Sequence, residues 1–287
     1  MTSHIDKQDG LPENEPHKVV IEASRSLFDM NWREFWEYRE LVYFMVWRDL
    51  TTRYKQTALG IGWAILQPVF TMLIFSLIFS RVAKIPTGDT PYALIAFTGL
   101  VPWTYFSQAV GRSGQSLIKD SNLISKVYFP RLIIPLAASI TPMIDFALAF
   151  LVMAAMLLWY QVAPGPQALM LPLFVLMAAA AAFSVGLWFS ALNVRYRDVQ
   201  HIIPFFVQIG MFASPVAYPT YLVPQQWQTI YALNPMVAVI EGFRWCLLGA
   251  AAPTPAMVGM GLLTIAVLAP TGFLYFKSTE RTFADVI

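Results

Sequence analysis

The stretch WREFWEYRELVYFMVWRDLTTRYKQTALGIGWAILQP, residues 32–68, decides the fold of this chain. Projected at 100° per residue, one helical face carries apolar and aromatic side chains: Trp32, Trp36, Tyr43, Val46, Trp47, Leu50 and Tyr54. The opposite face carries polar ones: Glu34, Glu37, Arg48, Thr52 and Lys55. Because tryptophan favours the headgroup depth of a bilayer, the pattern predicts an amphipathic helix lying in a membrane surface. An amphipathic helix packed on a soluble core is the alternative interpretation.

The residues after this helix favour the membrane. No charged residue occurs between Lys55 and Arg81, and that run exceeds the ~20 residues that a helix needs to cross a bilayer. The chain of 287 residues is 57% hydrophobic and 13% charged, with a mean hydropathy of +0.56. Soluble domains carry about 25% charged residues. The sequence therefore predicts an all-α membrane protein.

Six transmembrane helices are predicted from the uncharged runs, at residues 60–80, 92–113, 132–160, 168–192, 201–218 and 254–276. Asn234 and Pro235 interrupt residues 221–249, so we expect two short helices there, forming a re-entrant hairpin before the last span. Glu241 and Arg244 stand three residues apart and can pair on one face of the second helix. Residues 111–131 are too polar to cross and predict a short amphipathic helix on the membrane face.

Three regions follow in chain order. Residues 1–24 are polar and predict a flexible tail. Residues 25–56 hold the amphipathic interface helix, and residues 57–287 form the transmembrane domain. If both termini are cytoplasmic, sixteen of the nineteen lysines and arginines fall in cytoplasmic segments. Because positive charge favours the cytoplasmic side, this orientation is the predicted one.

The chain lacks the motifs of the common enzyme classes. There is no GxxxxGK[ST] phosphate loop, no HExxH and no GxSxG. A single cysteine, Cys246, and three widely separated histidines predict no metal site. Asp145 is the one acidic residue clearly inside a span, and such a carboxylate is a candidate for proton-coupled function. The alternative is a carboxylate near a helix end that is hydrogen-bonded to a neighbouring helix.

Aromatic residues make up 15% of the chain and cluster in and beside the spans. They can face lipid or pack between helices, or they can line a conduit along which sugar rings slide by weak stacking contacts. The candidate conduit residues are Phe70, Phe75, Phe205, Phe206, Phe212 and Tyr218.

The charged segments predicted on the cytoplasmic side form a candidate docking surface for a soluble protein. They comprise the end of the interface helix, residues 111–131 and residues 193–200. Solvated surface charge is the alternative interpretation of each segment taken alone.

At this point the residues resemble a known family. The segments that carry the resemblance are WRDLTTRYKQTALGIGWAILQPVFTMLIFSLIFSRV (47–82), NLISKVYFPRLIIP (122–135), NVRYRDV (193–199), LNPM (233–236) and EGFRWCLLG (241–249). Over residues 32–276 the chain resembles the membrane subunit of ABC-2 type exporters. The branch it resembles exports O-antigen, capsule and teichoic-acid polysaccharides.

The resemblance implies a permease that exports a lipid-linked polysaccharide across the bacterial cytoplasmic (inner) membrane. It implies a homodimer around one conduit, in contact with membrane lipids but not with nucleic acid. Two cytoplasmic ABC ATPase subunits would bind and hydrolyse ATP with Mg, so that this chain needs no cofactor of its own. Residues 122–131 would be the coupling helix, and Asn234, Pro235, Glu241 and Arg244 would belong to the re-entrant pair on the outer side. The residues expected to couple to the ATPase are Arg48, Asp49, Arg53, Lys55, Asp120, Asn122, Ser125, Lys126, Arg131, Arg195, Arg197 and Asp198.

Three other functions remain open from the sequence. An ABC-2 permease for a drug or lipid would share the same architecture. A membrane-embedded enzyme that modifies glycans or lipids would need clustered carboxylates or a histidine at a membrane face, and the sequence lacks them. A secondary transporter would show more spans and internal repeats.

Overall fold

The computed structural model describes residues 36–55, 62–82, 90–280 and 283. Within these ranges all regular structure is helical. The predicted tail at residues 1–24, the first part of the interface helix, the loop at residues 83–89 and most of the C-terminal tail lie outside the described residues.

The first elements follow the deciding stretch of sequence. Helix α1 spans Arg39–Lys55 and forms the later part of the predicted interface helix. Helix α2 spans Gly62–Phe75 and continues as a π-helix through Ser76–Val82. The described α2 lies within the predicted first span at residues 60–80, inside the uncharged run between Lys55 and Arg81.

The central element is α3, Tyr92–Lys119, which is buried along most of its length. A four-residue helix, α4, follows at Ser121–Ile124. The third predicted span is divided into α5, Ile133–Ile140, and α6, Pro142–Trp159. The division falls at Pro142, which has no N–H for the preceding turn. A 3₁₀ turn at Pro166–Met170 leads into α7, Leu171–Arg195.

The remaining helices are shorter, except for the last. Helix α8 covers Val199–Phe212, and a 3₁₀ turn follows at Thr220–Leu222. Helices α9, Gln225–Tyr231, and α10, Pro235–Leu248, meet where the sequence places a break. Asn234 caps α10 by accepting a hydrogen bond from the backbone N–H of Met236 at 3.0 Å. Helix α11, Pro255–Glu280, ends the bundle.

Two hydrophobic clusters hold the bundle together. The larger one surrounds α3 with residues from α6, α7 and α10. Helices α3 and α7 approach closely at Gly186, where a Cβ atom would lie 2.7 Å from the side chain of Ser113. The smaller cluster joins Met45 of α1 to residues near the ends of α3, α7 and α11, and to Phe129 and Phe283. We call this end of the bundle the basic end, because it holds Lys119, Arg131, Arg195 and Lys277.

The protein is an all-α membrane protein. Five helical segments among the described residues are long and apolar enough to cross a bilayer: Gly62–Ser80, Tyr92–Lys119, Ile133–Trp159, Pro166–Arg195 and Pro255–Glu280. The predicted fifth span, residues 201–218, is different. Its helix α8 has 14 residues and a length of about 21 Å, against a hydrocarbon core of about 30 Å. Six crossings and a re-entrant hairpin therefore stay predictions.

The structure corrects the prediction for residues 111–131. Helix α3 continues to Lys119, so that the first part of this segment belongs to the span and not to a separate surface helix. The predicted coupling helix at residues 122–131 is reduced to α4, which ends at Ile124. The extension of α3 has a packing reason, since Ser113, Ser116 and Leu117 are buried.

Candidate functional site

An ion-pair network at the basic end ties α1 to the end of α3. Nη2 of Arg48 lies 2.9 Å from Oδ1 of Asp120 and 3.0 Å from Oδ1 of Asp49. Nζ of Lys119 lies 3.5 Å from the same Asp49 oxygen. Burial by itself would lower the pKa of Arg48, but the bonds to Asp120 and Asp49 outweigh it and raise this pKa above its usual value. The guanidinium therefore remains a permanent cation between two carboxylates.

A second contact ties the end of α1 to α6. Arg53 and Tyr54 both donate to the carboxylate of Asp145, which is only 4% exposed. Nη1 of Arg53 also lies 3.5 Å from the side-chain oxygen of Gln108 on α3. Burial, and then the hydrogen bond to Asp145, raise the pKa of the Tyr54 phenol to about 12. The phenol thus keeps its proton and donates at neutral pH. These contacts agree with the alternative given for Asp145 in the sequence analysis, a carboxylate that is hydrogen-bonded to a neighbouring helix.

The segment after α4 is held to the end of α11. Arg131 donates to the backbone carbonyl of Glu280, and its guanidinium lies 5.9 Å from the ring centroid of Phe283. Phe283 is fully buried and packs edge-on against Phe276 at 5.3 Å between centroids. The last described residues of the chain therefore support the segment that was predicted to contact the ATPase.

The predicted coupling residues divide into two groups. The first group is half-buried and engaged within the chain: Arg48, Asp49, Arg53, Asp120 and Arg131. The second group is exposed: Lys55, Asn122, Ser125, Lys126, Arg195, Arg197 and Asp198. The charged residues of the second group can meet a soluble partner without the breaking of an ion pair within the described chain.

The two faces of α1 do not divide simply into an apolar face on the protein and a polar face in solvent. Trp36, Tyr43 and Trp47 of the aromatic face are exposed, which suits a helix in contact with lipid. The side of α1 that packs on the protein includes Met45 together with the charged residues of the ion pairs. Arg48 belongs to the polar face of the helical wheel, and the structure directs it toward Asp120 at the end of α3.

The candidate conduit residues also divide. Phe70, Phe205, Phe206 and Phe212 are exposed on the single chain, although the Phe206 ring lies edge-on against Phe189. The other two have partners within the chain. Phe75 is half-buried against Phe79, with ring centroids 5.6 Å apart. The hydroxyl of Tyr218 donates to the carbonyl of Phe212 at 2.8 Å.

The side chain of Arg244 is the most deeply buried guanidinium described, with 3% of its surface exposed. Its Nη1 lies 3.0 Å from Oε1 of Glu241, as the spacing of the two residues predicts. The same nitrogen donates to the carbonyl of Tyr218 at 3.2 Å, and Nη2 donates to the carbonyl of Val216 at 3.1 Å. Nη2 also lies 3.4 Å from the carbonyl of Ile95 on α3. One side chain thus joins α3, α10 and the segment after α8.

That segment, residues 213–218, is not helical, and we call it the clamped segment. Four of its six carbonyl groups accept hydrogen bonds from side chains. Besides the two bonds from Arg244, the hydroxyl of Tyr92 donates to the carbonyl of Ala217 at 2.6 Å, and Nδ2 of Asn234 donates to that of Ala213 at 3.1 Å. Irregular backbone at membrane depth is stable only with such internal partners. The clamped segment therefore meets the condition for irregular backbone inside a membrane.

Sequence reasoning missed several residues of these sites. Tyr54 was placed on the apolar face of α1, and Gln108 and Tyr92 were not singled out. One feature of the sequence could have identified Tyr54. A carboxylate inside a span requires hydrogen-bond donors, and Arg53 and Tyr54 are adjacent donors at the end of the interface helix. Nothing local marks Tyr92, because its partner carbonyl is 125 residues away.

Comparison with known proteins gives a consistent result. The model of the family described as ABC-2 type transporter matches residues 40–248. The O-antigen export system permease protein RfbA of Myxococcus xanthus is 28% identical over 89% of this chain and 98% of its own length. The permease of the same name from Klebsiella pneumoniae is 25% identical over 84% of this chain and 92% of its own. The polysialic acid transport protein KpsM of Escherichia coli is 25% identical over 68% of this chain and 76% of its own.

Proposed function

Since the chain belongs to the ABC-2 type transporter family, we propose that it is the permease subunit of an ATP-driven exporter of a lipid-linked polysaccharide. The observation that carries the proposal is the near full-length similarity to an O-antigen export permease, 98% of which is covered. The similarity to a polysialic acid transport protein supports the same class of cargo. The chain is a transport subunit, and its lack of a phosphate loop leaves ATP and Mg to a separate ATPase.

The partners follow from the same proposal. Two ABC ATPase subunits dock on the exposed charges near Lys126 and Arg197, which no contact within the described chain occupies. The permease is a homodimer in the bacterial cytoplasmic membrane, with both termini in the cytoplasm. The positions of Lys119, Arg131 and Arg195 at the basic end support that orientation.

A gene-disruption experiment tests the cargo. In the bacterium that makes the glycan, loss of this chain should remove the glycan from the cell surface, and lipid-linked glycan should accumulate inside. Expression of the intact chain should restore export, which is measured by surface staining and by extraction of the lipid-linked pool. Unchanged surface glycan together with a new sensitivity to a drug or lipid would contradict the proposal and favour the other ABC-2 cargo.

Charge reversal at Lys126 tests the docking surface. Lys126 is exposed, so that Lys126→Glu should leave folding unchanged but should weaken contact with the ATPase, and ATP-driven export per complex should fall about tenfold. The matched control is Asp120→Lys, which sets two cations face to face at the Arg48 contact and should lower the amount of folded protein instead. Normal export by the Lys126→Glu complex would show that the surface near Lys126 does not bind the ATPase.

Labelling of single cysteines tests the topology, in a background in which Cys246 is replaced. Positions 85–89 and 162–166 should react from outside, and positions 120–127, 195–198 and 280–287 from inside. The reason is the concentration of positive charge on the segments that contain the second set. A C-terminal tail that reacts only from outside would contradict both the six-span count and the re-entrant assignment.

A further inference from the structure

The exposed faces of the long helices differ in polarity. Every exposed residue of α6 is apolar: Ile144, Ala147, Leu151, Ala155, Leu158 and Trp159. On α7 the exposed residues before Arg195 are also apolar. On α11 the exposed hydroxyl of Thr271 donates to the carbonyl of Val267 at 2.6 Å, and that of Ser278 to Tyr275 at 2.7 Å. These three helices therefore present surfaces that hydrocarbon chains can cover without leaving a polar group unpaired.

Helices α2 and α8 present a different surface. Gln67 lies on the exposed face of α2, and Gln208 lies on the exposed face of α8. Neither side-chain amide has a hydrogen-bond partner among the described residues. An amide facing lipid without a partner would be costly, because hydrocarbon offers no hydrogen bonds. Polar side chains within spans face a bundle interior or a water-filled cavity.

Each amide stands in a row of exposed rings. On α2, Trp63, Gln67 and Phe70 are spaced at i, i+4 and i+7. On α8, Phe205, Gln208 and Phe212 are spaced at i, i+3 and i+7. The amide in each row can therefore reach the same extended molecule as the rings beside it.

We propose that Gln67 and Gln208 line the sugar path and exchange hydrogen bonds with the hydroxyls of the exported glycan. The inference rests on the proposed function. A glutamine amide offers two N–H donors and one carbonyl acceptor, which matches hydroxyls that both donate and accept. In a wet path such bonds are exchanged with water at a small net gain, so that the polymer is guided without being trapped. The neutral amides orient the sugar units, while the aromatic rings beside them stack on the sugar faces.

Water accessibility tests the location of the two amides. In the assembled complex with Cys246 replaced, Gln67→Cys and Gln208→Cys should react with a small membrane-impermeant thiol reagent at least about tenfold faster than Leu151→Cys and Leu263→Cys. The last two positions are matched controls on the apolar faces of α6 and α11. Glycan substrate should slow the reaction at 67 and 208 only. Rates equal to those of the controls, or crosslinking between two copies at 208 without aqueous reaction, would overturn the inference.

Transport by leucine variants tests the role of the amides. Gln67→Leu and Gln208→Leu should each lower export per folded complex by about threefold to tenfold. The variants Gln67→Asn and Gln208→Asn should retain most of the export, and Leu151→Ala should retain all of it. Unchanged export by the double leucine variant would overturn the inference and leave the proposed function standing. Absence of glycan export by the unaltered complex would overturn both.

Discussion

Replacing Arg244 by methionine is expected to lower the unfolding free energy of the protein by about 3–5 kcal/mol. Methionine fills a similar volume, but it leaves the half-buried carboxylate of Glu241 without its cation, with Thr220 as its remaining donor. It also leaves the carbonyls of Ile95, Val216 and Tyr218 without these donors, and an unsatisfied buried group costs about 1–3 kcal/mol. The measurement is the thermal stability of the purified protein in detergent, together with its yield from membranes.

Two further variants separate the role of the guanidinium from general damage. Arg195→Met removes an exposed arginine at the end of α7 and should change stability by no more than about 0.5 kcal/mol. Gly99→Ala keeps Arg244 but places a Cβ atom 2.9 Å from the carbonyl oxygen of Val216, and should cost about 1–3 kcal/mol by separating the clamped segment from α3. Equal stability of the Arg244→Met and Arg195→Met proteins would contradict the clamp.

Removal of Arg53 alone should be more damaging than removal of Arg53 and Asp145 together. Arg53→Met leaves the Asp145 carboxylate buried with Tyr54 as its remaining donor, and should cost about 3–5 kcal/mol. In the double variant Arg53→Met with Asp145→Leu, both charges of this pair are removed together, so that most of the stability should return. Loss of α1 anchoring should be visible in the single variant as faster proteolysis of the interface helix.

The Tyr54→Phe variant serves as the control, because it removes one hydrogen bond to the carboxylate but no charge, and should cost about 1.5–3 kcal/mol. Thermal unfolding in the same detergent compares the unaltered protein, the single variants Arg53→Met and Asp145→Leu, their double variant, and Tyr54→Phe. Strictly additive losses in the double variant would mean that the two side chains do not act as a pair. A proton-coupled role for Asp145 would instead predict that Asp145→Asn alters the pH dependence of transport while stability is retained.

The sequence predicted the elements that depend on neighbouring residues. The uncharged run after Lys55 placed the first span, since crossing a bilayer depends on length and local composition. The spacing of Glu241 and Arg244 predicted their pair, because residues three apart share a helical face. The predicted surface helix at residues 111–131 was wrong, because alternating polar and apolar residues suit both a surface helix and the buried end of a longer one.

By itself, then, the sequence determined that the chain is helical, lies in a membrane and resembles ABC-2 type permeases. Only the tertiary structure decided which of its charged residues are free to meet a partner. Arg48 is 72 residues from Asp120, and Arg53 is 92 residues from Asp145. Such pairs form when distant helices pack, and no local pattern encodes them. For the same reason the sequence could not tell Phe70, exposed on α2, from Phe75, which packs against Phe79. The position of a ring on a helix is local, but what covers it is set by the rest of the fold.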